Sequence, residues 1–214
     1  MSKHYGEIAF TDAVSDVQDR YGSGAFYNAK TMRAHTAESH DALTEDAREF
    51  LGQRDGFYMA TVSETGWPYL QFRGGPVGFL RVIDEHTVGW ADFRGNLQYI
   101  STGNLGADDR VAMFAMDYAH RRRLKIYGHA RIVTVDDDPD LAAALADPSY
   151  DAKVERAVIV HVEAFDWNCP QHITPRFTAA EIEPTVAALR SEVEALRAEN
   201  AALRRTRQSR PGTS

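Results

Sequence analysis

The clearest indication of fold is a pair of apolar runs on either side of a tight turn, Phe57-Tyr-Met-Ala-Thr-Val-Ser-Glu-Thr-Gly-Trp-Pro-Tyr-Leu-Gln-Phe-Arg73. Gly56 precedes the first run and Glu64-Thr-Gly66 separates the two, a pattern typical of a β-hairpin. Further short apolar runs follow as far as Val135, and one more covers 157–165. Many short strands at close spacing, few of them strictly alternating, predict a closed barrel whose outer face is also covered.

The remaining segments set the expected organisation around the strands. Residues 1–40 are polar and irregular, with one short helix predicted after Thr11, and a second helix is predicted after Thr44. The expected fold class is mainly β (α+β): a six-stranded split β-barrel with Greek-key topology, peripheral helices and a C-terminal coiled-coil helix. The expected domains are an N-terminal wrapping segment (1–40), the barrel domain (41–183), the coiled-coil helix (184–207) and a disordered tail (208–214).

The C-terminal helix shows a heptad pattern. Its a positions are Val186, Val193 and Asn200, and its d positions are Leu189, Leu196 and Leu203. Valine at a with leucine at d favours two parallel strands, and an asparagine at a specifies register. The alternative is an amphipathic helix that packs on its own domain. Dimerised barrels would hold even such short helices at high effective concentration, so pairing between chains is expected.

Composition excludes several classes of protein. The chain has 31 acidic and 24 basic residues and a net charge of -7, which argues against a nucleic-acid or anionic-membrane partner. Its single cysteine, Cys169, cannot form an intramolecular disulfide, and the N-terminal residues lack the pattern of a signal peptide. No apolar run has the length of a membrane span. We therefore expect a soluble cytoplasmic protein.

A polar insert interrupts the strands, Asp92-Phe-Arg-Gly-Asn-Leu-Gln-Tyr-Ile-Ser-Thr-Gly-Asn104. Its first residues, together with Arg73-Gly-Gly75 and Arg121-Arg-Arg-Leu-Lys125, offer guanidinium groups and glycine-exposed backbone amides. If these segments converge at one end of the barrel, they would bind a phosphorylated ligand. Alternatively, the three arginines form a solvated strand edge, the paired glycines a bend, and Asn96 a helix cap.

The segment after the last strand, Phe165-Asp-Trp-Asn-Cys-Pro-Gln-His-Ile-Thr-Pro-Arg176, combines an indole, an amide, a thiol, an imidazole and a guanidinium. It is suited to lining a pocket, although Trp167 alone would also serve as a core anchor. No second Cys/His pair accompanies Cys169 and His172, so no metal site is expected. No nucleophile elbow, P-loop or dinucleotide fingerprint is present, and no catalytic residue is assigned.

Four blocks of this sequence resemble the pyridoxamine 5'-phosphate oxidase-like, FMN-binding split β-barrel family. They are 57–73, 90–96, 121–131 and 167–176, and the resemblance extends over roughly residues 8 to 180. The similarity is to its loosely characterised flavoproteins rather than to the vitamin B6 oxidase itself. It implies a homodimer with two FMN sites at the subunit interface, each built from both chains.

The resemblance also implies which residues bind the cofactor. Gln71, Phe72, Arg73 and Gly74 match the strand along the isoalloxazine ring and ribityl chain, Trp90, Ala91 and Asp92 the next strand end, and Arg94, Gly95 and Asn96 the phosphate-binding turn. Arg122 and Arg123 match the segment that reaches the flavin from the partner subunit, and the stretch from Trp167 through Gln171 to His172 would close the pocket. Arg73 or Lys125 would stabilise an anionic reduced flavin near its pyrimidine end, a hypothesis from residue type.

The chain departs from the B6 oxidase in two places. Gly95-Asn96-Leu97 stands where that enzyme has Ser-Arg-Lys, so Arg94 or an arginine of 121–123 would supply the phosphate charge, and the cofactor is FMN or, alternatively, the deazaflavin F420. The enzyme's C-terminal substrate-binding arginine and histidine have no match, so pyridoxine phosphate is not the expected substrate. The sequence thus predicts a flavin-dependent oxidoreductase acting on a small molecule or NAD(P)H. The alternative is a non-catalytic flavin, F420 or heme sensor or carrier.

Overall fold

The computed structural model describes residues 3–33 and 40–208, which form two compact units that divide between Ile173 and Thr174. The first unit contains one antiparallel sheet and its flanking helices; the second contains one long helix. Seven strands make up the sheet: β1 (Gly56–Val62), β2 (Pro68–Gly74), β3 (Arg81–Asp84), β4 (Thr87–Phe93), β5 (Arg110–Asp117), β6 (Arg122–Thr134) and β7 (Val154–Trp167). The helices are α1 (Lys3–Ala9), α2 (Asp12–Arg20), α3 (Gly24–Arg33), α4 (Glu45–Gly52), α5 (Ile100–Ala107), α6 (Pro139–Leu145) and α7 (Ala179–Gln208).

The strands pair in the order β2-β1-β5-β6-β7-β4-β3, and the two end strands do not pair with each other. The prediction of a closed, six-stranded barrel was therefore wrong in both respects; Greek-key topology stays a prediction. The connection from β2 to β3 is held to the residues just before β1. The amides of Gly75 and Gly78 donate to the backbone carbonyls of Asp55 and Arg54, which directly precede β1. The chain therefore leaves the edge of β2 and crosses the start of β1. β3 is then only four residues long.

Several local predictions are confirmed. β1 and β2 form the predicted hairpin, in the register Gly56 with Gly74 and Val62 with Pro68. The Thr44 hydroxyl accepts a hydrogen bond from the Ala47 amide at 3.3 Å and caps α4. These features follow from residues close in sequence, because turn and cap chemistry act over a few residues.

The N-terminal prediction needs correction. The helix predicted after Thr11 is confirmed as α2, although Thr11 makes no side-chain capping bond, and residues 3–33 contain two further helices where irregular chain was predicted. Tyr5 of α1 is buried, and its ring stacks on Tyr127 of β6 at 5.2 Å. Packing of α1 against the sheet therefore stabilises a helix that is too short to be stable alone. Residues 34–39 and 209–214, part of the predicted N-terminal segment and tail, lie outside the described residues.

The core lies between the inner face of the sheet and α4. Alternate residues of the strands point into it, and Trp90, Leu124 and Val160 are each at most 1% exposed. Burial of each such side chain contributes about 1.5–3 kcal/mol. Within residues 3–33 and 40–208, no helix combines the length and apolar character needed to cross a bilayer.

Candidate functional site

A cavity of about 180 Å³ opens where the C-terminal end of β4 meets β2, the start of β7 and the segment that enters α5. Its walls combine hydroxyl, amide, carboxylate and guanidinium groups with a few apolar side chains. They are Tyr69, Gln71, Arg73, Asp92, Phe93, Gly95, Asn96, Leu97, Gln98, Tyr99, Ile100, Ser101, Thr102, Glu155 and Arg156. Five of the predicted site residues are therefore brought together here: Gln71, Arg73, Asp92, Gly95 and Asn96.

β2 contributes one of its two faces. Because side chains alternate along a strand, Tyr69, Gln71 and Arg73 share the face toward the cavity. The Tyr69 hydroxyl donates to Gln71 Oε1 at 2.7 Å, which orients the amide. Phe72 projects from the opposite face and is 54% exposed, so within one chain it is not part of the cavity.

Asp92 is the central acid of the site. Arg73 Nη1 donates to Asp92 Oδ1 at 3.0 Å, and Arg156 Nε lies 3.5 Å from Asp92 Oδ2. Asp92 and Arg156 are direct cross-strand neighbours on β4 and β7. Burial raises the pKa of Asp92, and attraction to Arg73 and Arg156 only partly opposes this rise. The carboxylate thus holds two guanidinium groups at one side of the cavity.

Arg156 has partners on three sides but is not fully satisfied. Its Nη1 donates to Thr102 Oγ1 at 3.1 Å, its Nη2 pairs with Glu155, and its guanidinium lies 4.8 Å from the centre of the Tyr99 ring. The Nε atoms of both Arg73 and Arg156 are buried and lack a hydrogen-bond partner among the described residues. An unsatisfied buried donor costs about 1–3 kcal/mol, so this arrangement favours an additional acceptor in the site.

The turn between β4 and α5 shapes the other wall. Asn96 Oδ1 accepts from the Gln98 amide at 3.2 Å, and Leu97 and Tyr99 both adopt positive φ, at 64° and 52°. Non-glycine residues seldom adopt this conformation, so the turn holds backbone strain. At Gly95 an added Cβ would meet nothing within 4 Å, so open space lies beside its backbone.

The turn delivers the first turn of α5 to the cavity. Ile100, Ser101 and Thr102 are its first three residues and line the wall, and Ser101 is buried. The first amides of a helix have no acceptor within the helix and carry a partial positive charge, which favours anions. Together with the two guanidinium groups, these amides can bind a phosphate.

Arg94 is placed differently from the prediction that it binds phosphate. Its Nε lies 3.5 Å from Glu155 Oε1, and its side chain is half exposed outside the cavity wall. Trp90 and Ala91 lie in the core rather than at the cavity, with the Trp90 ring 4.9 Å from that of Phe57. Gly74 ends β2 and does not reach the cavity wall either.

The remaining predicted residues form a separate group around the start of β6 and the end of β7. Arg122 pairs with Asp46 at 2.7 Å, and its guanidinium lies 4.3 Å from the centre of the Trp167 ring. Lys125 pairs with Asp166 at 3.4 Å, and the Arg123 guanidinium lies 5.9 Å from the Phe114 ring centre. Gln171 and His172 are exposed in the following loop. None of these predicted residues lines the cavity within one chain.

Sequence reasoning missed Arg156 and Glu155, and it named Ser101 and Thr102 only as part of the polar insert. Ser101 and Thr102 stand near the end of that insert, in the first turn of α5, so the available signal was a pair of hydroxyl residues at a helix start. No local signal existed for Arg156, because only the pairing of β7 with β4 places it beside Asp92.

A second cluster, of histidines, lies at the opposite end of β4. The ring of His161 lies 4.7 Å from that of His40 and 6.1 Å from that of His86. Burial lowers the pKa of His161, repulsion from His40 and His86 lowers it further, and Glu163 and Asp84 oppose the shift. Among the described residues, no group of three or more His, Cys, Asp or Glu side chains is arranged to hold a metal ion.

Comparison with known proteins identifies one family. The family model described as pyridoxamine 5'-phosphate oxidase matches residues 43–168, more than half of the chain. This match spans β1 to β7 and therefore includes every strand of the cavity. No curated protein matches the chain.

Several solved structures are similar over most of their own length. HupZ of Group A Streptococcus shares 18% identity over 63% of this chain and 98% of its own, with a TM-score of 0.48. An FMN-binding protein from Syntrophomonas wolfei shares 15% identity over 59% of this chain and 86% of its own (TM-score 0.45). An F420 reductase shares 19% identity over 61% and 98% (TM-score 0.40). These likenesses are too distant to bear on what the cavity binds.

Proposed function

Because the chain belongs to the pyridoxamine 5'-phosphate oxidase family, we propose that it is a flavin-dependent oxidoreductase that binds FMN, or alternatively F420, at the Asp92 cavity. The observation that carries the proposal is the pair of guanidinium groups, Arg73 and Arg156, held on either side of Asp92 next to the first turn of α5. These groups fit the phosphate end of such a cofactor.

The donor set supports this assignment. Two buried Nε atoms lack acceptors among the described residues, and the first three residues of α5, where a helix favours anions, line the cavity. Charge-assisted hydrogen bonds from arginine to phosphate are among the strongest in proteins. Gln71, fixed by Tyr69, would orient a polar edge of the cofactor along β2.

We propose that a second subunit completes the site, and the small volume of the cavity in one chain supports this. Pockets that bind small molecules and cofactors measure about 300–1,000 Å³, whereas the cavity in one chain measures about 180 Å³. The face of β2 that points away from the cavity is apolar, with Leu70 and Phe72 more than half exposed. A homodimer joined through this face would complete the site, with the partner's Arg122, Arg123 and the 167–172 loop reaching it as the family resemblance implies.

When bound, FMN supplies hydride and electron transfer, and the protein supplies binding, orientation and exclusion of water. Arg73 and Arg156 would hold the phosphate, Asp92 would hold both guanidinium groups, and Gln71 would position the ring system. No residue of the described cavity is assigned to proton transfer to substrate. The substrate is proposed to be a small organic molecule or NAD(P)H.

The test starts from purified protein and identifies any released ligand by mass spectrometry. Titration with FMN and with F420, followed by absorbance, distinguishes the two cofactors. Reduction of the bound cofactor by NADH or NADPH, with turnover of a small acceptor, is the result expected of an oxidoreductase. Tight binding with negligible turnover would instead indicate a carrier or sensor, and a protein that takes up neither cofactor would refute the proposal.

A further inference from the structure

The second compact unit carries an apolar surface that its own helix cannot cover. Leu189, Val193, Leu196 and Leu203 lie on one face of α7, and each is between 44% and 62% exposed. Exposed apolar side chains in a continuous row mark an interaction surface. The helix has 30 residues, which makes it the longest element in the described chain.

The structure extends the heptad pattern beyond the predicted seam. Because α7 begins at Ala179, five residues before the predicted start, one more heptad is helical, and it places Ala179 at a and Ile182 at d. Ile182 is 45% exposed, like the later d residues. The four d positions are therefore Ile182, Leu189, Leu196 and Leu203. Four apolar d positions satisfy the three to four heptads typical of a coiled coil.

The charges that flank this seam identify the partner. Glutamate occupies the g positions 192 and 199, and arginine occupies the e positions 190, 197 and 204. In a parallel coiled coil, each g residue faces the e residue of the next heptad on the other helix. Two copies of α7 in register would therefore pair Glu192 with Arg197 and Glu199 with Arg204, each pair occurring twice.

The single chain leaves these charges available. Within the described residues, Glu192, Arg197, Glu199 and Arg204 make no ion pair or hydrogen bond. Arg190, whose g-position counterpart is the uncharged Thr185, pairs instead with Glu183 of its own helix at 3.2 Å. The e and g residues with a charge-complementary counterpart on a second copy are thus the ones that lack a partner in one chain.

An antiparallel pair has the opposite charge pattern. There g faces g and e faces e, so glutamate would lie against glutamate and arginine against arginine. Asn200 at an a position adds to the discrimination, because two asparagines meet across the seam only when the helices are parallel and in register. Charge and polar-core positions therefore favour the same geometry.

We propose that α7 binds the α7 of a second copy of this chain as a parallel, in-register, two-stranded coiled coil, selected by the Glu192–Arg197 and Glu199–Arg204 pairs. Both chains enter this coil from the same end. The pairing does not depend on flavin binding, since no residue of the Asp92 cavity belongs to α7.

Cysteine cross-linking of the full chain tests orientation and register. Cys169 is free and exposed, so every cysteine variant is made in a chain that carries Cys169→Ser. Under mild oxidation, Leu203→Cys at a d position is expected to cross-link two chains at least about tenfold more efficiently than Ala198→Cys at an outward f position. Equal yields at the two positions, or no cross-link at either, would overturn the parallel in-register geometry.

Charge exchange tests the choice of partner. The variant Glu192→Arg/Glu199→Arg has basic e and g positions, and Arg197→Glu/Arg204→Glu has mainly acidic ones. With Leu203→Cys in both, each variant alone is expected to cross-link about tenfold less than the parent, and co-expression of the two is expected to restore cross-linking between unlike chains. The matched control is Glu194→Arg at the outward b position, which should cross-link like the parent.

The outcomes separate this proposal from the cofactor proposal. If like-charged variants cross-link as well as the parent, the charge pairs do not select the partner and the proposal fails. FMN titration of the same variants reads the cavity independently. In the Cys169→Ser/Leu203→Cys parent, cross-linking without FMN binding would count against the proposed function alone, and FMN binding without cross-linking would count against the coiled coil alone.

Discussion

Replacement of Arg156 by methionine is expected to weaken FMN binding by about tenfold to about 150-fold. Arg156 provides one of the two guanidinium groups at the cavity, and its Nε lacks an acceptor among the described residues. A hydrogen bond to a charged group contributes about 1.5–3 kcal/mol, and each 1.4 kcal/mol changes the dissociation constant about tenfold. Methionine keeps a long apolar side chain beside Tyr99 while removing the charge.

The matched control is Arg94→Met. Arg94 is half exposed and its Nε lies 3.5 Å from Glu155, outside the cavity wall. Exposed ion pairs contribute about 0–1 kcal/mol, so this variant should bind FMN within about fivefold of the parent. The comparison separates the arginine identified by the structure from the arginine identified by the sequence pattern.

The assay is fluorescence titration with FMN and, in parallel, with riboflavin, which lacks the phosphate. Arg156→Met should lose affinity for FMN and keep its affinity for riboflavin, because the lost interaction is with the phosphate. Since the variant leaves Glu155 without its closest partner, Arg156→Met/Glu155→Gln is compared as well, and thermal unfolding verifies that both are folded. Folded Arg156→Met that binds FMN as tightly as the parent, or an Arg94→Met variant that loses more affinity, would refute the reasoning.

Three further predictions concern the fold and its assembly. The pKa of His161 is lowered in the folded protein, whereas in the unfolded chain this histidine has its ordinary pKa of 6.5 and is protonated first as the pH falls, so folding stability decreases as the pH drops through about 6.5. In His161→Gln, melting temperatures measured over a pH series should decrease less steeply toward acid pH. An unchanged dependence of melting temperature on pH would contradict this. Gly128→Ala would push a Cβ against the His161 carbonyl and Val160, and denaturant titration should show about 1–3 kcal/mol of lost stability, whereas Gly103→Ala, with nothing within 4 Å, should lose none. Phe72→Arg should weaken the proposed dimer about tenfold by analytical ultracentrifugation, and Val17→Ser on α2 should not; equal effects would exclude the hairpin face as the interface.

Local pattern was sufficient for the elements whose signals lie within a few residues. The β1–β2 hairpin follows from apolar runs around Glu64-Thr-Gly66, and the start of α4 follows from the Thr44 cap. The heptad seam of α7 is equally local, because a helix places every seventh residue on the same face. In each case the turn, cap or helical repeat involves residues close in sequence, so the local sequence pattern was sufficient to predict the element.

The cavity depended on contacts between residues distant in sequence. Asp92 was predicted from the polar insert, but its partner Arg156 belongs to a strand whose start was predicted one residue later, at Ala157. The register of β7 against β4 brings the two together, and that register results from packing of Trp90, Val158 and Val160 in one core. The sequence pattern pointed to Arg94 or an arginine of 121–123 for the phosphate charge, and within one chain Arg94 Nε lies 3.5 Å from Glu155 Oε1. Which arginine lines the cavity depends on how strands distant in sequence pair and on which face of the sheet each side chain lies. A short segment of sequence does not determine either feature.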